Sequence, residues 1–397
     1  MAFGDFTVDR NSTKYVLGSG GDIISYATDE PAFEFNADGS YKGLLVEPAA
    51  TNICLQSEDI NTTWGPTNAT VTANNTTAPD GNATADKLGD NNTGGGATNQ
   101  VYVAQTITVT GSTKYTASVF LKQDQLNWAW LRAIGSGSTG NSSPYQFFDL
   151  DNGVLGTATA GIDDATIEEY PNGWYRCSIT WTQGAGDTSF QFGIYVADAD
   201  NTINVDLDGT SSIFVWGAQV EAGPIATSYI PTTTASVTRN KDDITLGSAS
   251  SLIGQTEGTL YVEVDWRSAT GTFQFLLSVN DGTSSNRMLI RNDTSGLLSM
   301  LADAGGSSET SQGVSSSGFS GIQKIAFAYA DSDFELYRNG SSISSSTTGS
   351  LAALATLTDI DLGQSNGATV QANMWIRAVA LFTRRLSDAE CQALTTL

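Results

Sequence analysis

The chain has no histidine among its 397 residues. That absence excludes Ser-His-Asp and Cys-His catalysis, the HExxH zinc site, imidazole metal ligation and histidine acid–base chemistry. Basic residues are scarce as well. Lys plus Arg total 18 against 42 Asp plus Glu, a formal net charge of −24. A surface this acidic repels a phosphate backbone and anionic headgroups, so neither nucleic acid nor membrane insertion is expected. Cysteine is limited to Cys54, Cys177 and Cys391. An odd number at wide spacing implies no disulfide framework and no CxxC metal site, and the three read as small buried hydrophobes. No window approaches the ~18 apolar residues of a membrane span. The opening MAFGDFTVDR has neither a basic nor an apolar leader region, so no secretory signal is expected.

What is present is β-forming. Only 15% of residues are charged, yet 40% are apolar and 9% aromatic, enough for substantial cores. Segments rich in Val, Ile, Thr, Phe, Tyr and Trp recur at 101–109, 114–122, 128–134, 174–182, 190–196 and 212–219. Between them lie turn pairs that tolerate positive φ: Asp80-Gly81, Asn172-Gly173, Asp208-Gly209 and Asn339-Gly340. Short, evenly spaced strands of this kind predict an all-β chain of two sandwiches (jelly rolls) in tandem. One short C-terminal helix is expected near 387–394, where Ser387 and Glu390 have capping-box spacing. Composition divides the chain into an extended lead-in for docking (1–55), a first sandwich (56–246) and a second (247–397). A short echo, V-x-R-N, occurs at Val8–Asn11 and Val237–Asn240, and its two copies are candidates to lie side by side at the base of the first sandwich.

Several segments carry a family resemblance. DRNSTKYV (9–16) and EPAFEFNADGSYKGLLVEPAATNICLQSEDI (30–60) lead. TAPDGNATADKL (77–88), YTASVFLK (115–122), FFDLDNG (147–153), NGWYRCSITW (172–181) and VWGAQVEAGPIATSYIPTTTASVTR (215–239) follow in order. This series resembles the head-spike-fibre and tail-fibre proteins of tailed bacteriophages, whose central unit is similar to carbohydrate-binding jelly rolls. GTLYVEVDW (258–266), FELYRNG (334–340) and LFTRRLSDAE (381–390) resemble a concanavalin A-like or laminin G-like sandwich. The resemblance implies a virion protein, assembled in a bacterial cytoplasm and released by lysis, that meets host-surface polysaccharide. It also implies other virion proteins as partners and a homotrimer or other cyclic homo-oligomer.

Glycan recognition needs aromatic faces for sugar C–H groups and fixed polar groups for hydroxyls. Period-2 alternation puts Trp128, Trp130 and Arg132 on one face, opposite Ala129, Leu131 and Ala133. That face is either core or an accessible platform, and Arg132 favours the platform because burying an unpaired guanidinium is costly. The same rule puts Trp174 and Arg176 on the mixed side of their strand, away from Tyr175, Cys177, Ile179 and Trp181. Tyr145 completes the candidate carbohydrate-binding set, with Trp64 and Tyr102 as weaker additions, whereas Trp216 and Trp375 read as core. No catalytic residue, metal ligand or cofactor is assigned. The acidic turns Asp149–Gly153 and Asp206–Gly209, and Asp281 with Asn286, leave calcium open, but lack the downstream bidentate Glu of an EF-hand. Glu168-Glu169 and Asp163-Asp164 are adjacent pairs that point to opposite faces of a strand, so they do not form a glycosidase dyad. The expected function is non-enzymatic adhesion. The rivals are a purely structural decoration or baseplate protein, and a polysaccharide-degrading enzyme.

Overall fold

In the computed structural model, the alternating pattern becomes strands nearly throughout, all paired antiparallel among the described residues. The structure describes residues 5–92, 94, 98–137, 142–266, 274–293, 295–316, 319, 321–366 and 372–397. The first sandwich has two six-stranded sheets. One runs, in spatial order, Val154–Ala158, Tyr145–Asp149, Trp128–Ile134, Ser189–Ala197, Tyr102–Thr108 and Gly65–Thr67. The other runs Asp164–Tyr170, Trp174–Thr182, Lys114–Gln123, Ser212–Ala222, Ala85–Asp90 and Ala69–Thr76. Their inward faces meet in one core, which takes Ala129, Leu131 and Ala133 from one sheet and Cys177, Ile179 and Trp181 from the other. Cys54, Cys177 and Cys391 are buried free thiols.

The second sandwich has two seven-stranded sheets, and its pairing draws the lead-in into both. Thr7–Asp9 lies at the edge of one sheet, beside Asp243–Leu246, which in turn pairs with Asp359–Leu362. Phe33–Phe35 and Tyr41–Val46 extend the other, with Leu45 opposite Trp375. Val8, Leu44 and Val46 sit in the second sandwich's core. Thr7–Asp9, Phe33–Phe35 and Tyr41–Val46 of the lead-in therefore supply strands to the sheets of the second sandwich. Residues 243–246, grouped by composition with the first sandwich, pair in the second. The helix forms at Asp388–Thr395, one residue from its expected start, with Ser387 as N-cap and the capping box to Glu390 complete.

The V-x-R-N segments lie side by side: Asn240 N donates to Ser12 Oγ at 3.0 Å and Asn240 Nδ2 to Asn11 O at 3.1 Å. Next to them, five charged side chains are shut off from water where the sandwiches meet. Lys14 Nζ contacts Asp242 Oδ2 at 2.7 Å and Glu47 Oε2 at 3.1 Å. Arg10 pairs with Asp242 at 3.0 Å, and Arg239 reaches Glu47 at 3.6 Å and the Pro48 carbonyl at 2.8 Å. Ser228, which follows the last long strand of the first sandwich, donates its N–H to Glu47 Oε1 at 2.8 Å. Burial alone would raise the Glu47 carboxyl. Lys14, Arg239 and Ser228 overcome it and hold that carboxyl well below the usual range. Buried ions of this kind fix geometry, because each partner removed strands a charge in low dielectric.

Candidate functional site

Four aromatic side chains form a row across the outer face of the first sheet. Tyr102, Tyr195, Trp130 and Phe147 occupy successive strands at directly opposed positions. Because neighbouring strands are about 4.8 Å apart, the row spans roughly 14 Å. The rings stack: Trp130 on Tyr195 at 3.7 Å and 24°, Tyr102 on Tyr195 at 4.3 Å and 25°, and Trp130 beside Phe147 at 5.5 Å and 19°. Gly193 makes room for this, since a Cβ there would lie 2.5 Å from the Tyr195 ring. Tyr145 stands edge-on to Trp130 at 5.3 Å.

Trp128 flanks the row on one side and Arg132 on the other, two residues either side of Trp130 along its strand. The centre is closed and the rim is open. Trp130 is 1% exposed, whereas Trp128, Arg132, Tyr145 and Tyr102 are half-buried. Arg132 lies with its guanidinium carbon 5.9 Å from the Trp130 ring, and its Nε donates to Ser143 O at 3.3 Å. Burial raises the Tyr195 phenol, with the Arg132 charge acting against the shift. Asp149 is the carboxylate among the strand residues of this face. Its oxygens accept from Asp151 N, Asn152 N and Asn152 Nδ2, which closes the hairpin turn.

Trp128, Trp130, Arg132 and Tyr145 are thus brought together, with Tyr102 from the weaker candidates. Tyr195 and Phe147 were missed. Their signal was alternation: Tyr195 falls out of phase with the core residues Phe190, Phe192 and Ile194, and Phe147 with Phe148.

Trp174 and Arg176 are a correction. They face outward from the second sheet, as period 2 requires, but that face is covered. The lead-in hairpin, Lys14–Leu17 paired with Ile23–Tyr26, packs Tyr15, Leu17 and Ile23 against Phe120, Tyr170, Trp174, Trp216 and Tyr229. Trp174 is 1% exposed and its Nε1 donates to Thr77 O at 3.2 Å. Arg176 is 4% exposed, lies over the Phe120 ring and donates to Ser118 Oγ at 3.0 Å. Arg176 also borders a narrow inter-sandwich cleft of about 240 Å³ with Lys42 and Trp375. Trp64 belongs to the first core, and Trp216 and Trp375 are buried where the sandwiches meet.

The acidic turns use their carboxylates internally. Asp208 accepts from Thr210, and Asp281 accepts from Thr283 and Asn286. Among the described residues, no three Cys, Asp or Glu side chains are grouped to hold a metal ion.

A family model described as the concanavalin A-like lectin/glucanases superfamily matches residues 238–392. The match opens close to Asp243–Leu246 and leaves out the lead-in strands that complete both sheets. Over residues 238–392 the second sandwich is similar to concanavalin A-like domains. No curated protein matches the chain. Among solved structures, the carbohydrate-binding module CBM40 of the Ruminococcus gnavus IT-sialidase is 18% identical, covering 37% of this chain and 86% of that one, with a TM-score of 0.32. Trypanosoma rangeli sialidase is 11% identical, covering 78% and 60%, with a TM-score of 0.32. Domains LG4-5 of the mouse laminin alpha1 chain are 10% identical, covering 70% and 86%, with a TM-score of 0.25.

Proposed function

We propose that this protein is a non-enzymatic adhesin of a tailed-phage particle, a head spike, tail fibre or similar appendage that holds host-surface polysaccharide. The observation behind the binding role is the aromatic row with its half-exposed rim of Trp128, Tyr145, Tyr102 and Arg132. The half-buried rim rings of Trp128, Tyr145 and Tyr102 offer apolar area to the C–H face of a sugar, held in place by the closed stack behind them, and Arg132 offers a polar group to its hydroxyls. The virion role rests on the ordered motifs from DRNSTKYV to the segment ending at Arg239. Single sugar sites bind weakly, so repetition in a trimer or ring, docked on other virion proteins, supplies avidity.

The test is adsorption to host cells and signal on a glycan array. Trp128→Ala and Tyr145→Ala lose both while the melting temperature falls by only a few degrees, and Trp174→Ala, once refolded, keeps both. Unchanged adsorption in the first two variants overturns the platform. Imaging the intact particle with an antibody against this chain locates the appendage.

One observation favours the hydrolase rival. Glu58 and Asp86 line a single cleft of about 560 Å³, and burial raises both carboxyls. Glycoside hydrolysis needs two such groups roughly 5–10 Å apart. Both oxygens of Asp86 already accept backbone N–H groups, from Ile60 and Asn74, which marks it as structural. A fall in the viscosity of host polysaccharide mixed with the protein supports the hydrolase, and constant viscosity supports the adhesin.

A further inference from the structure

The first sandwich, residues 56–236, contains five basic residues: Lys87, Lys114, Lys122, Arg132 and Arg176. Lys87 pairs with Asp124 at 2.7 Å and Lys114 with Asp163 at 3.1 Å. Lys122 lies 6.0 Å over the Trp174 ring. Arg176 is buried, and its charge acts on the buried Glu221. Arg132, like Lys122, is in no ion pair among the described residues, but of the five it is the one on the open aromatic face. It is half-exposed, on the aromatic face, and meets no carboxylate among the described residues.

A second group on the same face is unmatched in the same sense. Trp130 Nε1 is buried and has no acceptor. A buried N–H without a partner costs about as much as a lost hydrogen bond. This face therefore holds one buried donor to spare, Trp130 Nε1–H, beside a guanidinium, Arg132, that also reaches the Tyr195 hydroxyl. The carboxylates beside this face are engaged, Asp149 by its own turn and Asp200, next to the Trp128 ring, by Thr157.

We propose that the aromatic face selects anionic saccharides, with Arg132 receiving a carboxylate or sulfate oxygen of a sugar whose ring stacks beside Tyr145, the residue directly opposite it on the next strand. The inference rests on the glycan-binding reading above and names its ligand class. A guanidinium presents a planar fork that fits two anionic oxygens at once. The −24 net charge opposes a polyanion at long range, but at physiological salt the screening length is about 8 Å, so the local cation decides at contact.

Affinity electrophoresis tests this with four polymers in the gel: dextran, dextran sulfate, polygalacturonate and carboxyl-reduced polygalacturonate. The wild-type protein is retarded by at least one anionic polymer and much less by its neutral counterpart. Retardation by polygalacturonate alone assigns a carboxylate, and by dextran sulfate alone a sulfate ester. Arg132→Gln weakens that retardation roughly tenfold or more, and Arg132→Lys restores part of it. If neutral and charged polymers retard the protein equally, with Tyr145→Ala but not Arg132→Gln abolishing the effect, anionic selectivity is overturned and glycan binding stands. If no polymer retards the wild type, or Tyr145→Ala changes nothing, the glycan-binding reading fails and the selectivity with it.

Discussion

The first sandwich has two aromatic outer faces, and they meet opposite fates. One carries Tyr102, Tyr195, Trp130 and Phe147 in a stacked row with an open rim. The other carries Phe120, Tyr170, Trp174, Trp216 and Tyr229, packed under Tyr15, Leu17 and Ile23 of the lead-in. Both arise from strands with Trp and Arg at alternate positions, and in both an arginine lies over a neighbouring ring. The difference comes from elsewhere in the chain. A hairpin near the N-terminus converts one face into an inter-sandwich interface, whereas the other keeps a half-buried rim around its closed stack. An aromatic strand face is thus a surface that needs a partner, and topology decides whether that partner is the chain itself.

Removing the cover tests this most severely. Deleting residues 1–46 takes away Thr7–Asp9, Phe33–Phe35 and Tyr41–Val46, exposing an edge in each sheet of the second sandwich together with the aromatic face under the hairpin. Unpaired edges and a large apolar patch lead to aggregation. The truncated chain is expected to lose soluble yield altogether, read by size-exclusion chromatography.

The buried charges that lock the hairpin in place give the next largest effect. Asp242→Ala leaves Arg10 and Lys14 without that carboxylate and should cost about 3–5 kcal/mol in denaturant unfolding. The same cluster sets an acid limit. Glu47 is depressed in the folded state, so its contribution is complete above its unfolded value, near 4.5, and falls away as the pH drops below it. Thermal scans from pH 7 down to pH 3 should show the junction weakening below about pH 4.5. Glu47→Gln should be less stable than wild type at pH 7 and flatter with pH. A steeper acid dependence in the variant would show that other carboxylates govern the junction.

Much of this architecture was legible in the residues. The sandwiches, the capped C-terminal helix and the two-faced strand Trp128–Ile134 followed from period-2 alternation, turn pairs and a capping box, all of them local signals. The fate of Trp174 and Arg176 did not follow, because their cover comes from Tyr15, Leu17 and Ile23. Alternation tells which side of a strand a residue takes, but not what lies beyond it. The lead-in strands were hidden for a related reason. At three to six residues they are too short for periodicity, and Leu45 pairs with Trp375 at the other end of the chain. Tyr195 and Phe147 were readable by the same alternation as Trp130, but each stands beside core phenylalanines that mask it.

The sharpest contrast between the faces comes from paired truncations, one on each. Trp174→Ala removes a fully buried ring and its bond to Thr77 O, and should cost about 3–5 kcal/mol without touching the open rim. Tyr145→Ala removes a half-buried ring whose neighbours are Trp130 and Phe147, so its stability cost should be about 1 kcal/mol, the value of an aromatic contact. Saccharide retention should reverse the ranking, lost in Tyr145→Ala and kept in the refolded Trp174→Ala. The two sites lie on opposite sheets of one sandwich with no shared partner, so the double variant should show the sum of the two stability losses within about 0.5 kcal/mol. A larger departure would mean that the faces communicate through the core between them. In that case the lead-in hairpin would tune the open face as well as cover the closed one.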